Sequence, residues 1–138
     1  MIKISIKGVI LAIVVVFILD IITGIVMMAI LGSHSVKAGM TKQQMHEAVV
    51  AVTLSTGFLL GSVIFGTLST ILGGYIAAQV AKSNYYMNAA VIGVLGIVLN
   101  ALTATDYPLW INSLGVLLVL PAALLGGHLA RPRVQGNA

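Results

Sequence analysis

The sequence predicts an all-α integral membrane protein, a bundle of four transmembrane helices forming one domain over residues 1–138. Three observations carry that prediction. Hydrophobic residues make up 59% of the chain and charged residues only 7%, whereas soluble proteins carry about 25% charged residues to clothe a water-facing surface. Four apolar stretches, residues 8–31, 48–80, 87–104 and 111–130, each reach the ~20 residues needed to cross a hydrocarbon core. Between them lie only a polar loop and two short turns, so nothing is left over to fold as a separate soluble domain.

The first stretch follows Lys3 and Lys7, as the hydrophobic part of a secretory signal would. It is longer than such a segment, contains Asp20 and lacks an Ala-x-Ala cleavage site, so it is expected to be retained. The second stretch is introduced by "TKQQMHEAVV", in which Thr41 and Gln44 have the spacing of a capping box. A single helix from there to Lys82 would be about 60 Å long at ~1.5 Å per residue, twice the ~30 Å hydrocarbon thickness. It must therefore protrude, tilt or break. Lys42, Gln43, Gln44, His46 and Glu47 suit two turns standing outside the membrane. Gly73-Gly74 is either a kink near the inner face or a point of tight, straight passage. The third stretch is Gly-rich, and the fourth contains Pro121, a second kink candidate because proline removes an intrahelical hydrogen bond.

Charge orients the bundle. The seven basic residues outnumber three acids, giving a net charge of +4, but they stand in ones and twos beside helix ends. No stripe or patch suited to nucleic acid is formed. With the N-terminus inside, Lys3, Lys7, Lys82, Arg131 and Arg133 share the cytoplasmic side and only Lys37 and Lys42 lie opposite, so the positive-inside rule predicts an N-in/C-in topology. Tyr85 and Tyr86 then sit at the inner interface, Tyr107 and Trp110 at the outer one. His128 and Arg131 read as anchors beside a helix C-terminus and lipid phosphates.

Lipid tails are as apolar as leucine, so helix contacts are marked by small residues that let backbones approach. Ser55, Ser62, Gly66, Ser69 and Gly73 fall on one face of the second helix; Ala89, Gly93, Gly96, Asn100 and Thr103 fall on one face of the third. These faces meet each other, or each meets the first or fourth helix. Gly57-x-x-x-Gly61 lies on another side and suits a second contact, including one with another copy of the chain.

The segment "STILGGYIAAQVAKSNYYMNAAVIGVLGIVLN", residues 69–100, resembles small four-helix bacterial membrane proteins of unknown function. In these a Gly-Gly-Tyr-Ile-Ala segment ends one helix and a short basic turn leads to a Gly-rich next one. The resemblance implies a four-helix architecture and a multi-pass protein of the bacterial cytoplasmic membrane, and it brings no catalytic residues.

Chemistry is sparse. The absence of Cys removes disulfides, thiolate metal sites and cysteine nucleophiles. His34, His46 and Glu47 share the outer loop region without a His-Glu-x-x-His spacing, and solvated side chains are the expected reading. Neither enzyme activity nor a cofactor nor a metal is expected, because acid–base or nucleophilic work needs several converging polar groups. One residue stands apart: Asp20, in the middle of "VVVFILDIITGIVMM". A central Asp costs about 2.5–3.5 kcal/mol on insertion scales, which the many Leu, Ile, Val and Phe residues around it outweigh at ~0.3–0.6 kcal/mol each. The acid must still be turned from lipid. Thr23, Gly24 and Met27 form its mildly polar stripe, and Ser62 and Thr67 are the expected facing hydroxyls at that depth, with Asn100 as a further interhelical hydrogen-bonding group.

Two functional readings follow. The first is a non-enzymatic accessory subunit that works by helix packing in the bilayer, with itself as a homo-oligomer or with a larger membrane complex. The alternative is a homo-oligomeric small channel or proton-coupled transporter that uses Asp20. The topology is open to test in this Cys-free chain. Ala38→Cys should react with a membrane-impermeant thiol reagent applied outside and Gln135→Cys should not; the reverse pattern would invert the orientation.

Overall fold

The computed structural model describes residues 3–103 and 107–132. Among them are five helices and no strand: α1 (Ile6–Gly32), α2 (Lys42–Thr53), α3 (Thr56–Ala81), α4 (Tyr85–Thr103) and α5 (Leu109–Leu129). Four of these, α1, α3, α4 and α5, are long and apolar enough to cross a membrane. Ala104, Arg133 and Gln135, used above to bound the third stretch and to read topology, lie outside the described residues.

The second stretch breaks, one of the three outcomes its length allowed, and the break does not fall at Gly73-Gly74. The Thr41–Gln44 capping box forms, with the Thr41 hydroxyl accepting from Gln44 N and the Gln44 side chain accepting from Thr41 N. The helix it opens ends after Thr53. Ser55 then caps the next one: its side chain accepts from Phe58 N at 3.3 Å, while its hydroxyl donates to Val52 O at 2.6 Å. Ser55 is thus a helix start, with β-branched Thr56 and then Gly57 in the first turn, residues that propagate a helix poorly. The break falls at Leu54–Ser55, and α3 continues through Gly73 and Gly74 without interruption. Likewise α5 is continuous through Pro121.

α3 is the central element, packed against α1, α4 and α5. Its tightest crossing is with α5. A Cβ added at Gly74 would run into the Ala123 carbonyl, and one added at Gly126 into the backbone of Ile71 and Tyr75. Nothing but glycine lets two backbones come this close. Around that crossing Ala12, Ala77, Ala78, Ala89 and Ala123 are wholly buried, so the half of the bundle holding the α3–α4 turn is sealed by small residues. On α4, Gly93 receives Leu120 and Gly96 receives Val119. The Gly-rich face of the third stretch therefore meets the fourth helix, one of the alternatives its spacing allowed.

A fully buried polar residue pins this sealed end. Asn88 has no exposed surface. Its Oδ1 accepts from Ser5 N at 2.7 Å and its Nδ2 donates to the carbonyls of Lys3, Ser83 and Asn84. The turn it holds contains two non-glycine residues in the left-handed region, Lys82 and Asn84. Next to it, Tyr86 Oη lies 2.8 Å from His128 Nδ1, and Arg131 stacks over the Tyr86 ring at 5.3 Å while donating to its hydroxyl.

At the other end, α2 rests on the last turns of α1, where Met27, Val52 and Phe58 form a small apolar cluster.

Replacing Asn88 with Leu should leave the Ser5 amide without its acceptor, at a cost of about 1–3 kcal/mol. The thermal unfolding midpoint in detergent should drop markedly, and an unchanged midpoint would refute this role.

Candidate functional site

Side-chain register between α1 and α3 places the acid. Val16 lies against Gly73, Met27 against Gly61 and Leu31 against Gly57, so each step forward along α1 matches a step back along α3. Asp20, one turn after Val16, accordingly meets Ser69, one turn before Gly73. Ser69 Oγ donates to Asp20 Oδ1 at 2.7 Å. Ser69 is buried, whereas Asp20 is exposed.

The same hydroxyl lies 3.1 Å from Gly66 O. With Asp20 as a carboxylate, one hydroxyl hydrogen faces two acceptors. With a proton on the acid, Asp20 donates to Ser69 Oγ, Ser69 donates to Gly66 O, and both contacts are satisfied together. Thr70 Oγ1 donates to Gly66 O at 2.7 Å as well, so reorientation of Ser69 leaves that carbonyl hydrogen-bonded.

Beside this pair a cavity of about 430 Å³ opens between α1, α3, α4 and α5, in the half of the bundle toward Tyr107. Val16 and Ile92, which flank Gly73, line its inner end. Asp20, Ser62, Thr67, Thr70, Asn100 and Asn112 give it polar side chains amid an aliphatic lining. The hydroxyl hydrogens have a common direction. Ser62 donates to Phe58 O, Thr67 to Val63 O, Thr70 to Gly66 O and Thr103 to Leu99 O. With their hydrogens directed into their own helices, these oxygens offer the cavity acceptor capacity alone.

Of the residues singled out from sequence, Asp20, Ser62, Thr67 and Asn100 share this cavity, and Thr23 does not line it. Ser62 and Thr67 bond their own helix; the hydroxyl that engages Asp20 is Ser69. Asn100 has its carboxamide over Gly115, where a Cβ would come within 2.9 Å of Nδ2. Gly73, Gly93 and Gly96 are packing glycines. Gly66 is not, since a side chain there would meet open space beside the cavity. Gly57 and Gly61 meet Leu31 and Met27 of α1, so that motif is engaged within the chain. Among the described residues no three of His, Asp and Glu converge, and Glu47 accepts from Gln43 Nε2 within α2.

No family model matches the chain, and no curated protein or solved structure matches it significantly.

The bonding pattern separates three hydroxyls. Ser69→Ala removes the one donor to Asp20 and should lower stability by about 1–3 kcal/mol, whereas Ser62→Ala and Thr67→Val should each cost less than ~1 kcal/mol. Equal losses, measured by unfolding in detergent, would contradict the pairing.

Proposed function

We propose that the chain is a non-enzymatic carrier of the transport class, a multi-pass protein of the bacterial cytoplasmic membrane that takes a solute into the four-helix cavity and handles a proton or cation at Asp20. One observation carries the reading: the bundle is closed by Gly and Ala contacts at one end and open at the other, with an acid and a set of hydroxyls lining the open half. A cavity that reaches mid-bundle from one side has the form of one half of an alternating-access cycle. With the charge-based topology, the open half faces outward.

The accessory-subunit reading keeps one observation of its own. α1 buries little of its surface, and Asp20 is exposed on it, which suits cover by a second copy or a larger membrane complex.

Cysteine labelling and flux separate these readings. Thr67→Cys should react with a membrane-impermeant thiol reagent from the side that labels Ala38→Cys, while Ala77→Cys stays protected from both sides. Vesicles holding the wild-type chain should pass protons or cations, and Asp20→Asn should assemble normally without flux. A Thr67→Cys as unreactive as Ala77→Cys, with no flux in either orientation, would sink the transport reading in favour of the subunit.

A further inference from the structure

Asp20 stands on an edge shared by two spaces. One is the cavity. The other is a groove of about 710 Å³ on the flank of the bundle, between α1 and α2, whose walls include Ile21, Ile25, Met28 and Val49. Where α1 crosses a membrane the wall of this groove at residues 21–28 faces acyl chains, while Ser33, Val36 and Met45 bring its far end to the outer loop region, so the acid is reached both from the open end of the bundle and from the lipid.

Three features converge on the ligand class. First, charge: among the described residues no Lys, Arg or His lines either space, and Tyr107 is the only titratable side chain besides Asp20. The other groups facing Asp20 are the neutral Ser69 of α3 and the apolar Met45 and Val49 of α2; Lys42, His46 and Glu47 of α2 do not line the groove. Among the described residues an ionised Asp20 therefore has no counter-charge beside it. Second, hydrogen bonding: the Ser and Thr hydroxyls of the cavity present acceptors to a cation, and the donors beside them, the Asn100 and Asn112 amides and the Tyr107 hydroxyl, bring no positive charge to hold an anion. Third, hydrocarbon: the groove is aliphatic beside the acid and cannot replace the water shell of a metal ion, whereas an organic cation brings its own apolar body. Phe17, one turn before Asp20, also lines the cavity and adds an aromatic face for a cation.

We propose that Asp20 is the anionic centre of a binding site for an amphipathic organic monocation, an ammonium with an apolar body, that enters from the lipid through the α1–α2 groove and exchanges with a proton. The inference rests on the transport reading and names its substrate class. The exchange balances without a co-reactant. The cation pairs with the carboxylate, one proton leaves for water through the open cavity, and the Ser69 hydroxyl turns from Gly66 O to Asp20 Oδ1.

Two probes of the same shape test the charge alone: benzyltrimethylammonium, and neopentylbenzene, in which carbon replaces the ammonium nitrogen. With the full chain in detergent, radiolabelled benzyltrimethylammonium should bind saturably and release about one proton per cation in weakly buffered solution. Excess neopentylbenzene, Na⁺ or K⁺ should not displace it. Asp20→Asn should weaken binding by about 30-fold, the scale of a desolvated charge contact, and Asp20→Glu should largely retain it. Gly66→Phe, which places a ring in the open space of the cavity, should also block it. Displacement by neopentylbenzene as effective as by the unlabelled cation, displacement by Na⁺ or K⁺, or binding unchanged in Asp20→Asn would each overturn the organic-cation site. If the cation does not bind while Thr67→Cys is labelled from the Ala38 side, the ligand class falls and the cavity reading stands. If Thr67→Cys is also protected, both fall.

Discussion

The approach of α3 and α5 at Gly74 and Gly126 is the constraint on which the rest of the structure depends. The two backbones touch there, with the Ala123 carbonyl over Gly74 and the Ile71–Tyr75 turn over Gly126. In lipid no hydrophobic effect drives helices together, so close van der Waals contact between backbones has to supply the association. Away from that level the helices part. The separation is the cavity, and its position in the Tyr107 half follows from the crossing lying in the other half. Gly66, where a side chain would meet open space, widens it.

The same geometry accounts for the acid. α1 follows an i±4 ridge of α3 through Gly57, Gly61, Ser69 and Gly73, and such ridges are inclined to the helix axis. Along that line Asp20 is the residue carried to Ser69, at the margin where the α1–α3 contact gives way to the cavity. An acid placed deeper in the contact would have no route to water. One placed on the opposite face of α1 would have no hydroxyl.

Much of the fold was legible in the sequence because membrane insertion is a composition rule. The first, third and fourth stretches end within a few residues of α1, α4 and α5, and the Thr41–Gln44 cap was readable from spacing alone. The Leu54–Ser55 break was not, since the apolar run continues across it and the signal is a local contest between Ser55 as cap and Thr56-Gly57 as weak helix formers. Gly73-Gly74 allows a kink or tight, straight passage, because a glycine pair says only that space is needed, and α3 takes the second. What needs the space is Ala123, a residue about fifty positions away. The partner of Asp20 was misassigned for a related reason. Depth in the bilayer brings Ser62 and Thr67 near the acid, but the α1–α3 register selects Ser69, and register is a tertiary choice. The signal existed: Ser69 lies in the four-residue repeat that links Gly61 to Gly73, disguised because that row winds around the helix instead of staying on one face. Asn88 carried no sequence signal, since a single Asn near a helix start looks like many others.

Asn88 also imposes an order on assembly. Its partners include Lys3 and Ser5, separated from it by 85 and 83 positions. A chain emerging from the ribosome therefore presents its amino-terminal residues long before the group that completes their hydrogen bonding has been synthesised. α1 can enter the membrane early, and α3 can dock against it, but the anchorage of residues 3–5 waits for the start of α4. The hydrogen bonding of the segment that leads into α1 is thus completed only by the third of the four long apolar helices.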